Sequence, residues 1–388
     1  MIHSFDLILI LVFLIAQACI HSLLVAAAET KLTGSVQTTA RFAIYLFDIV
    51  VIAGFVCSYS EIPTLLGIVP QTISILGAVT LAYLLLATGA LAIHTVFLVI
   101  RRMSAADANP QRRRILRTAG QVAMAAPAAV LGYGFFIERH QFWVREVDIP
   151  SPRLPRDLDG LRILQLSDIH LGAFLSEREF ARVIDASNEL RPNLAVVTGD
   201  LISLRGDPLD ACIAQIARLR SDTGTFGCLG NHERYAEAEA YATDAAMRAG
   251  IRILRSQTAP LAFGASLLNL VGIDYQRWNP RHEYLRGASR LLAADAWNVL
   301  LSHNPDVLPS AAREGYNLVL SGHTHGGQVS VEILDQAVNP ARFFTRYIHG
   351  LYREGYAAGY VTRGIGTIGL PVRFGAPPEI SLLRLRKV

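Results

Sequence analysis

Lysine is nearly missing from this chain: only Lys31 and Lys387 are lysines among 36 basic residues, and arginine supplies the rest. Such a skew reads as base-composition bias more than as function. Charge of either sign is also scarce, at 18% of residues, where soluble domains carry about a quarter. The shortage is uneven. Residues 1–150 hold 10 basic and 8 acidic side chains, and residues 151–388 hold 26 and 24. The front is therefore not ordinary soluble sequence, whereas the back is globular in character and long enough to bury one full core. A formal charge of +4 over 388 residues gives no case for a nucleic-acid partner. Four cysteines make no disulfide scaffold. Cys19 and Cys57 fall in apolar stretches, and Cys212 and Cys228 read as small buried hydrophobes.

The front half is rich in long apolar runs. Residues 5–27, 42–60 and 72–100 can each cross about 30 Å of hydrocarbon as a helix. A fourth run, 119–137, is just long enough and contains Pro127, Gly132 and Gly134, which membrane helices tolerate. Residues 1–140 thus read as a membrane anchor of about four helices. The segment 101–118 carries six arginines, while 61–71 has Glu61 and no basic residue. Basic loops stay cytoplasmic, so four crossings deliver the following domain outside the cytoplasm. If 119–137 does not cross, that domain stays inside. A cleaved signal peptide fits poorly, because the N-terminus lacks a basic residue and further apolar runs follow. Asp48 and His94 are the main ionisable groups within these runs. One carboxylate without a broken-helix pattern reads as an anchor, with a transporter or sensor as the alternative.

Pro150, Pro152 and Pro155 mark 141–160 as a stiff linker. Strands are predicted at 161–167, 194–198, 225–229, 267–273, 298–302 and 317–321, with helices at 177–190 and 209–220. Alternation at this spacing predicts an α/β domain over 161–388. Five polar blocks each begin where a predicted strand ends. They are Asp168-Ile169-His170, Gly199-Asp200, Gly230-Asn231-His232-Glu233, His303, and Gly322-His323-Thr324-His325. Ligands of α/β sheets bind outside the carboxyl ends of the strands, so the blocks are expected to converge on one sheet edge.

Carboxylates with imidazoles, and no cysteine among them, suit ions such as Mn, Fe or Zn. Two such ions close together activate water against phosphorus, and Asp200 is placed to reach both. Read singly, each block has a bland explanation: Gly-Asp is usually a turn, Asp-x-His a surface cap, and a lone histidine a hydrogen-bonded polar residue. Five blocks at five strand ends leave that reading little room.

In this order the blocks resemble the calcineurin-like metallophosphoesterases, and from about residue 145 onward the chain is similar to their membrane-attached bacterial branch. Gln165 to Gly172 and the tail Thr362 to Gly375, running into Pro377-Pro378-Glu379-Ile380, carry that likeness. The resemblance implies two mixed β-sheets packed together and flanked by helices. It implies that Asp168, His170 and His325 hold one metal, that Asp200 bridges, and that Asn231, His303 and His323 complete the second. It makes His232 the general acid and Glu233 the residue that orients it. Two divalent ions are implied, with Mn, Fe, Zn and Ni not distinguished. The implied activity is hydrolysis of a phosphodiester or pyrophosphate in an envelope or lipid-linked substrate at the bacterial inner membrane. Cleavage of UDP-2,3-diacylglucosamine is an alternative that requires a cytoplasmic domain, and a regulatory metal domain is another. Residues 326–360, with Arg342, Arg346 and Arg353 among aromatics, are expected to form a loop or lid around the metals. They suit a phosphorylated amphiphile or a plain solvated face.

Overall fold

The computed structural model describes residues 4–59, 70–104, 111, 114–115, 118, 129–276, 284–333 and 336–388. The chain divides into two compact units, 1–133 and 134–388.

Among the described residues of the first unit, three helices are long and apolar enough to span a bilayer. They are α1 (Ser4–Lys31), α2 (Gly34–Tyr59) and α3 (Pro70–Ser104). Each exceeds the roughly 20 residues that a crossing needs. Their outward side chains include Phe42, Ile49, Val50 and Val79, all more than half exposed, as lipid-facing positions require. Of the fourth expected segment, 119–128 lies outside the described residues and 129–136 is helical. Most of the arginine-rich stretch behind the orientation argument also lies outside them. Asp48 is not isolated. Its carboxylate accepts from Gln17 Nε2 at 2.5 Å and meets His21 Nδ1 at 2.6 Å, and Tyr83 donates to Gln17 Oε1 at 2.5 Å. One polar network therefore ties all three helices together, the usual reason for a carboxylate to survive in such a setting.

The second unit holds the strands β1 (Trp143–Ser151), β2 (Arg162–Leu166), β3 (Leu194–Thr198), β4 (Thr225–Cys228) and β5 (Ile251–Ile253). These continue with β6 (Gln257–Phe263), β7 (Ser266–Gly272), β8 (Trp297–Leu301), β9 (Leu318–Ser321), β10 (Val331–Ile333) and β11 (Gln336–Val338). The last are β12 (Gly350–Glu354), β13 (Ala357–Val361) and β14 (Glu379–Lys387). Interleaved are the helices α4 (Glu177–Glu189), α5 (Leu209–Ile216), α6 (Asn231–Tyr235), α7 (Glu239–Arg248) and α8 (Leu308–Glu314). One six-stranded sheet runs β1-β14-β2-β3-β4-β5 and the other β12-β13-β9-β8-β7-β6; β10 and β11 form a separate hairpin. Both large sheets are mixed. The triplets β2-β3-β4 and β7-β8-β9 are parallel, and antiparallel neighbours lie outside them.

Ile163, Leu194, Val196 and Phe226 of the first sheet pack against Leu270, Val299, Leu301 and Leu320 of the second. The alternate residues face outward: Leu164 and Val197 toward α4 and α5, Leu300 and Val319 toward α8. Strands buried on both faces must be apolar throughout, which is why Leu194–Thr198 is so readable. Ser176 caps α4 with a full capping box through Glu179, fixing its start. Helix α5 stops at Ile216 rather than 220 because Arg218 and Leu219 bond back three residues and tighten the final turn.

Two expectations need correction. The stretch 141–160, read as a linker, contains β1, which lies parallel along the whole of β14 from Trp143↔Glu379 to Ser151↔Lys387. The polar blocks do not share one sheet edge. Three follow strands of the first sheet and two follow strands of the second.

Candidate metal centre

The two sheets are joined where their parallel strands end. Buried Gln165 donates to Thr198 Oγ1 at 3.0 Å within its own sheet and to the Ser321 carbonyl of the other at 2.9 Å. Beyond these ends the chain turns sharply. Asp168, His170, Asp200, His323 and His325 all have positive φ, between 48° and 76°. Non-glycine residues rarely adopt this conformation, at a cost of about 1–3 kcal/mol each, and it gathers at functional sites. A Cβ on Gly230 would sit 2.0 Å from Asp200 Oδ1, and one on Gly322 would sit 2.2 Å from Asp168 Oδ2. The glycines of the blocks therefore clear room for carboxylates.

Three overlapping groups result, each with ligand atoms within 4.8 Å of one another: Asp168-His170-His325, His170-Asp200-His232 and Asp200-His303-His323. His325 Nε2 is 3.4 Å from Asp168 Oδ1, and His303 Nε2 is 3.0 Å from Asp200 Oδ2. Imidazole nitrogens face each other at 3.2 Å in the pairs His170–His325 and His303–His323. Asn231 lies between Gly230 and His232, whose amide donates to Asp200 Oδ1 at 2.9 Å. The buried Oδ1 of Asn231 has no hydrogen-bond partner among the described residues.

The electrostatics follow from burial. Desolvation, helped by neighbouring His232, lowers His170 to about 3; desolvation and then His303 do the same to His323. Both imidazoles are neutral and keep lone pairs for a cation. Desolvation also drives Asp168 up to about 6. At Asp200 desolvation is outweighed by His303 and His232, which hold the carboxyl well below its usual range. In return, Asp200 overcomes the desolvation of His303 and raises it to about 10. Buried carboxylates, the neutral His170 and His325 imidazoles aimed at one another and an orphaned amide oxygen together call for positive charge at this place. The groups are suited to two divalent cations.

Supporting contacts set the tautomers. His303 Nδ1 meets the Thr198 carbonyl at 2.7 Å, and His170 Nδ1 meets Ser203 Oγ at 3.0 Å. His232 Nδ1 donates to the Ser203 carbonyl at 2.6 Å. Ser203, which no motif marked, thus steers two histidines, and the Asp207 carboxylate accepts from its amide at 2.9 Å. Glu233 does not orient His232. It accepts from the amides of Asp200 (3.0 Å), Leu201 (2.6 Å) and Gly230 (2.8 Å), bracing two ligand turns. In Glu233→Gln an amide donor would face backbone donors. The expected losses are about 1–3 kcal/mol of stability and roughly 10–100-fold in activity, checked by thermal unfolding and steady-state kinetics. Arg373, in the tail block, is wholly buried and donates to the His325 carbonyl at 2.9 Å. Tyr275 packs 5.6 Å from the His323 ring. Its signal in the sequence was nil, because nothing local distinguishes it from a core tyrosine.

Residues 161–327 match the family model described as calcineurin-like phosphoesterase. The uncharacterized metallophosphoesterase YkuE of Bacillus subtilis is 34% identical, the alignment covering 71% of this chain and 97% of that protein. A transmembrane protein with metallophosphoesterase domain from Danio rerio is 30% identical, with 69% of this chain and 62% of that protein covered. Phosphodiesterase YaeI of Escherichia coli is 27% identical over 71% of this chain and 98% of that protein. The chain belongs to the calcineurin-like metallophosphoesterases. Its fold and its clustered aspartates and histidines are those of a dinuclear metal-dependent phosphoesterase, here with membrane-length helices in the same chain.

Proposed function

We propose that this chain is a phosphodiesterase that cleaves a phosphodiester or pyrophosphate link in a lipid-linked or envelope substrate at the outer side of the bacterial inner membrane. The observation that carries the reading is the overlap of three ligand groups through Asp200 and His170, with the orphaned Asn231 oxygen beside them. The phosphodiesterase among its relatives, that of Escherichia coli, supports the diester over the monoester. The arginine-rich segment 101–118 supports the outward side.

In this reading Asp168, His170 and His325 would hold one ion, Asn231, His303 and His323 the other, with Asp200 shared. Such ions would neutralise phosphoryl oxygens and lower the pKa of water at the site. The protein's part is to hold its donors rigid: strained left-handed turns and the Glu233 brace leave the carboxylates little freedom. His232 donates a proton to the departing ester oxygen. Its Nδ1–H is committed to the Ser203 carbonyl, which leaves Nε2 to carry the transferred proton.

The test uses the full chain in detergent, stripped with chelator and resupplied with Mn, acting on an aryl phosphodiester and an aryl phosphomonoester. Diester cleavage that requires the metal is expected. His232→Ala should lower kcat by about 10²–10⁴-fold while both ions stay bound. A folded protein that binds two ions and cleaves neither ester would overturn the reading.

A further inference from the structure

Between β11 and β12 the chain displays Arg342, Phe343, Phe344 and Arg346, which the metal centre does not use. Phe343 is 89% exposed and Phe344 48%. Both border a cavity of about 440 Å³ that also takes in Tyr284 and, from α8, Arg313. That volume lies within the roughly 300–1,000 Å³ range of small-ligand sites.

The three arginines differ. Arg346 is engaged with the Glu354 carboxylate and the Tyr347 hydroxyl. Arg313 reaches the Ser310 hydroxyl at 3.0 Å. Among the described residues, no ion pair joins Arg313 or Arg342 to a carboxylate. Among the described lining residues the one acid is Asp306, which accepts from the Thr345 hydroxyl at 2.5 Å. Two guanidinium groups, neither paired with a carboxylate among the described residues, therefore line this cavity beside two exposed phenyl rings.

Water does not reward the apolar half of this arrangement. Adjacent exposed rings forgo the gain of burying apolar area, and such patches mark contact surfaces. A bilayer interface suits both halves at once. Rings enter the boundary between headgroups and acyl chains, and guanidinium groups bind phosphate oxygens. The chain that carries the patch also carries three helices of membrane length, so the patch belongs to a protein held at a membrane.

We propose that Arg313, Arg342, Phe343 and Phe344 form a docking surface for anionic phospholipid. The phosphodiester of one headgroup enters the cavity between Arg313 and Arg342, and Phe343 enters the acyl boundary. This surface goes beyond the hydrolysis proposed above. It stands or falls separately, because it shares no residue with the metal centre.

The test places the full-length Phe343→Trp protein in nanodiscs of phosphatidylcholine, alone or mixed with phosphatidylglycerol, with and without brominated acyl chains. A ring so exposed can be replaced without disturbing the packing. Bromolipid should quench the new tryptophan emission about twofold more than it quenches the parent protein's own tryptophans, and more strongly when phosphatidylglycerol is present. Arg313→Glu with Arg342→Glu on the same background should return quenching to the parent level. Quenching equal to the parent's in both lipids would overturn the docking surface. Quenching indifferent to phosphatidylglycerol and to charge reversal would overturn the arginine–phosphate contact.

Discussion

Asp200→Asn should lower metal-dependent hydrolysis by more than about a hundredfold and reduce bound metal below two ions per chain. The substitution keeps the size of the side chain and an oxygen for the His232 amide, which lies 2.9 Å from Oδ1. It removes the charge 3.0 Å from His303 and 3.6 Å from His170, and Asp200 belongs to two of the three ligand groups. Loss of a contact that merely supports a ligand costs roughly 10–100-fold in affinity or activity, so loss of a shared carboxylate should exceed that range. Metal analysis of the purified variant and single-turnover rates on an aryl phosphodiester check it. Two ions retained with near-parent rates would remove Asp200 from its bridging role.

The second large effect is expected at Arg373. Its side chain is fully buried, and its guanidinium donates to the carbonyls of Arg363 (2.8 Å), His325 (2.9 Å), Gly366 (3.1 Å), Ala376 (3.1 Å) and Gly364 (3.3 Å). Burial lowers its pKa to about 10, so it stays charged at neutral pH and answers the buried Asp168. Arg373→Met fills the volume and leaves those carbonyls without a donor, each at about 1–3 kcal/mol if nothing moves. The tail would relax rather than bear the full sum, and a net loss of roughly 4–5 kcal/mol is expected, as for a broken buried ion pair. For a domain of this size the unfolding midpoint should fall by roughly 10–15 °C, with metal content falling too because the His325 turn is released. Arg373→Lys should recover little, since an ammonium is a point charge and cannot span five acceptors. Thermal unfolding in detergent with metal analysis decides the matter. A midpoint within a degree or two of the parent would show that the buried guanidinium is dispensable.

Much of this centre was legible in the chain because its chemistry is local. An apolar strand followed directly by Asp-x-His or Gly-Asp places the polar group at a strand end without knowledge of any partner. Asp168, Asp200, Asn231, His303 and His323 follow that rule, and the structure brings their segments together. What supports them was not legible. Ser203 touches His170 and His232 from a loop with no motif, and Glu233 braces the Asp200 turn instead of its neighbour in sequence. Arg373 lay inside a block noticed for its likeness, with no sign that its charge is buried. A side chain's partner depends on what the fold places opposite it, and residues 325 and 373 are made neighbours by the whole path between them.

The same division holds for the fold. The three membrane-length helices, the apolar strands and the metal-seeking blocks were determined by the sequence alone, since apolar runs, periodicity and strand-end placement are short-range properties. Only the tertiary structure decided that the strands form two sheets, that β1 lies along β14 from more than two hundred residues away, and that five site residues take left-handed turns. Those outcomes depend on register and burial summed over distant segments. A local conformation costing about 1–3 kcal/mol persists only where the surrounding packing over-determines it.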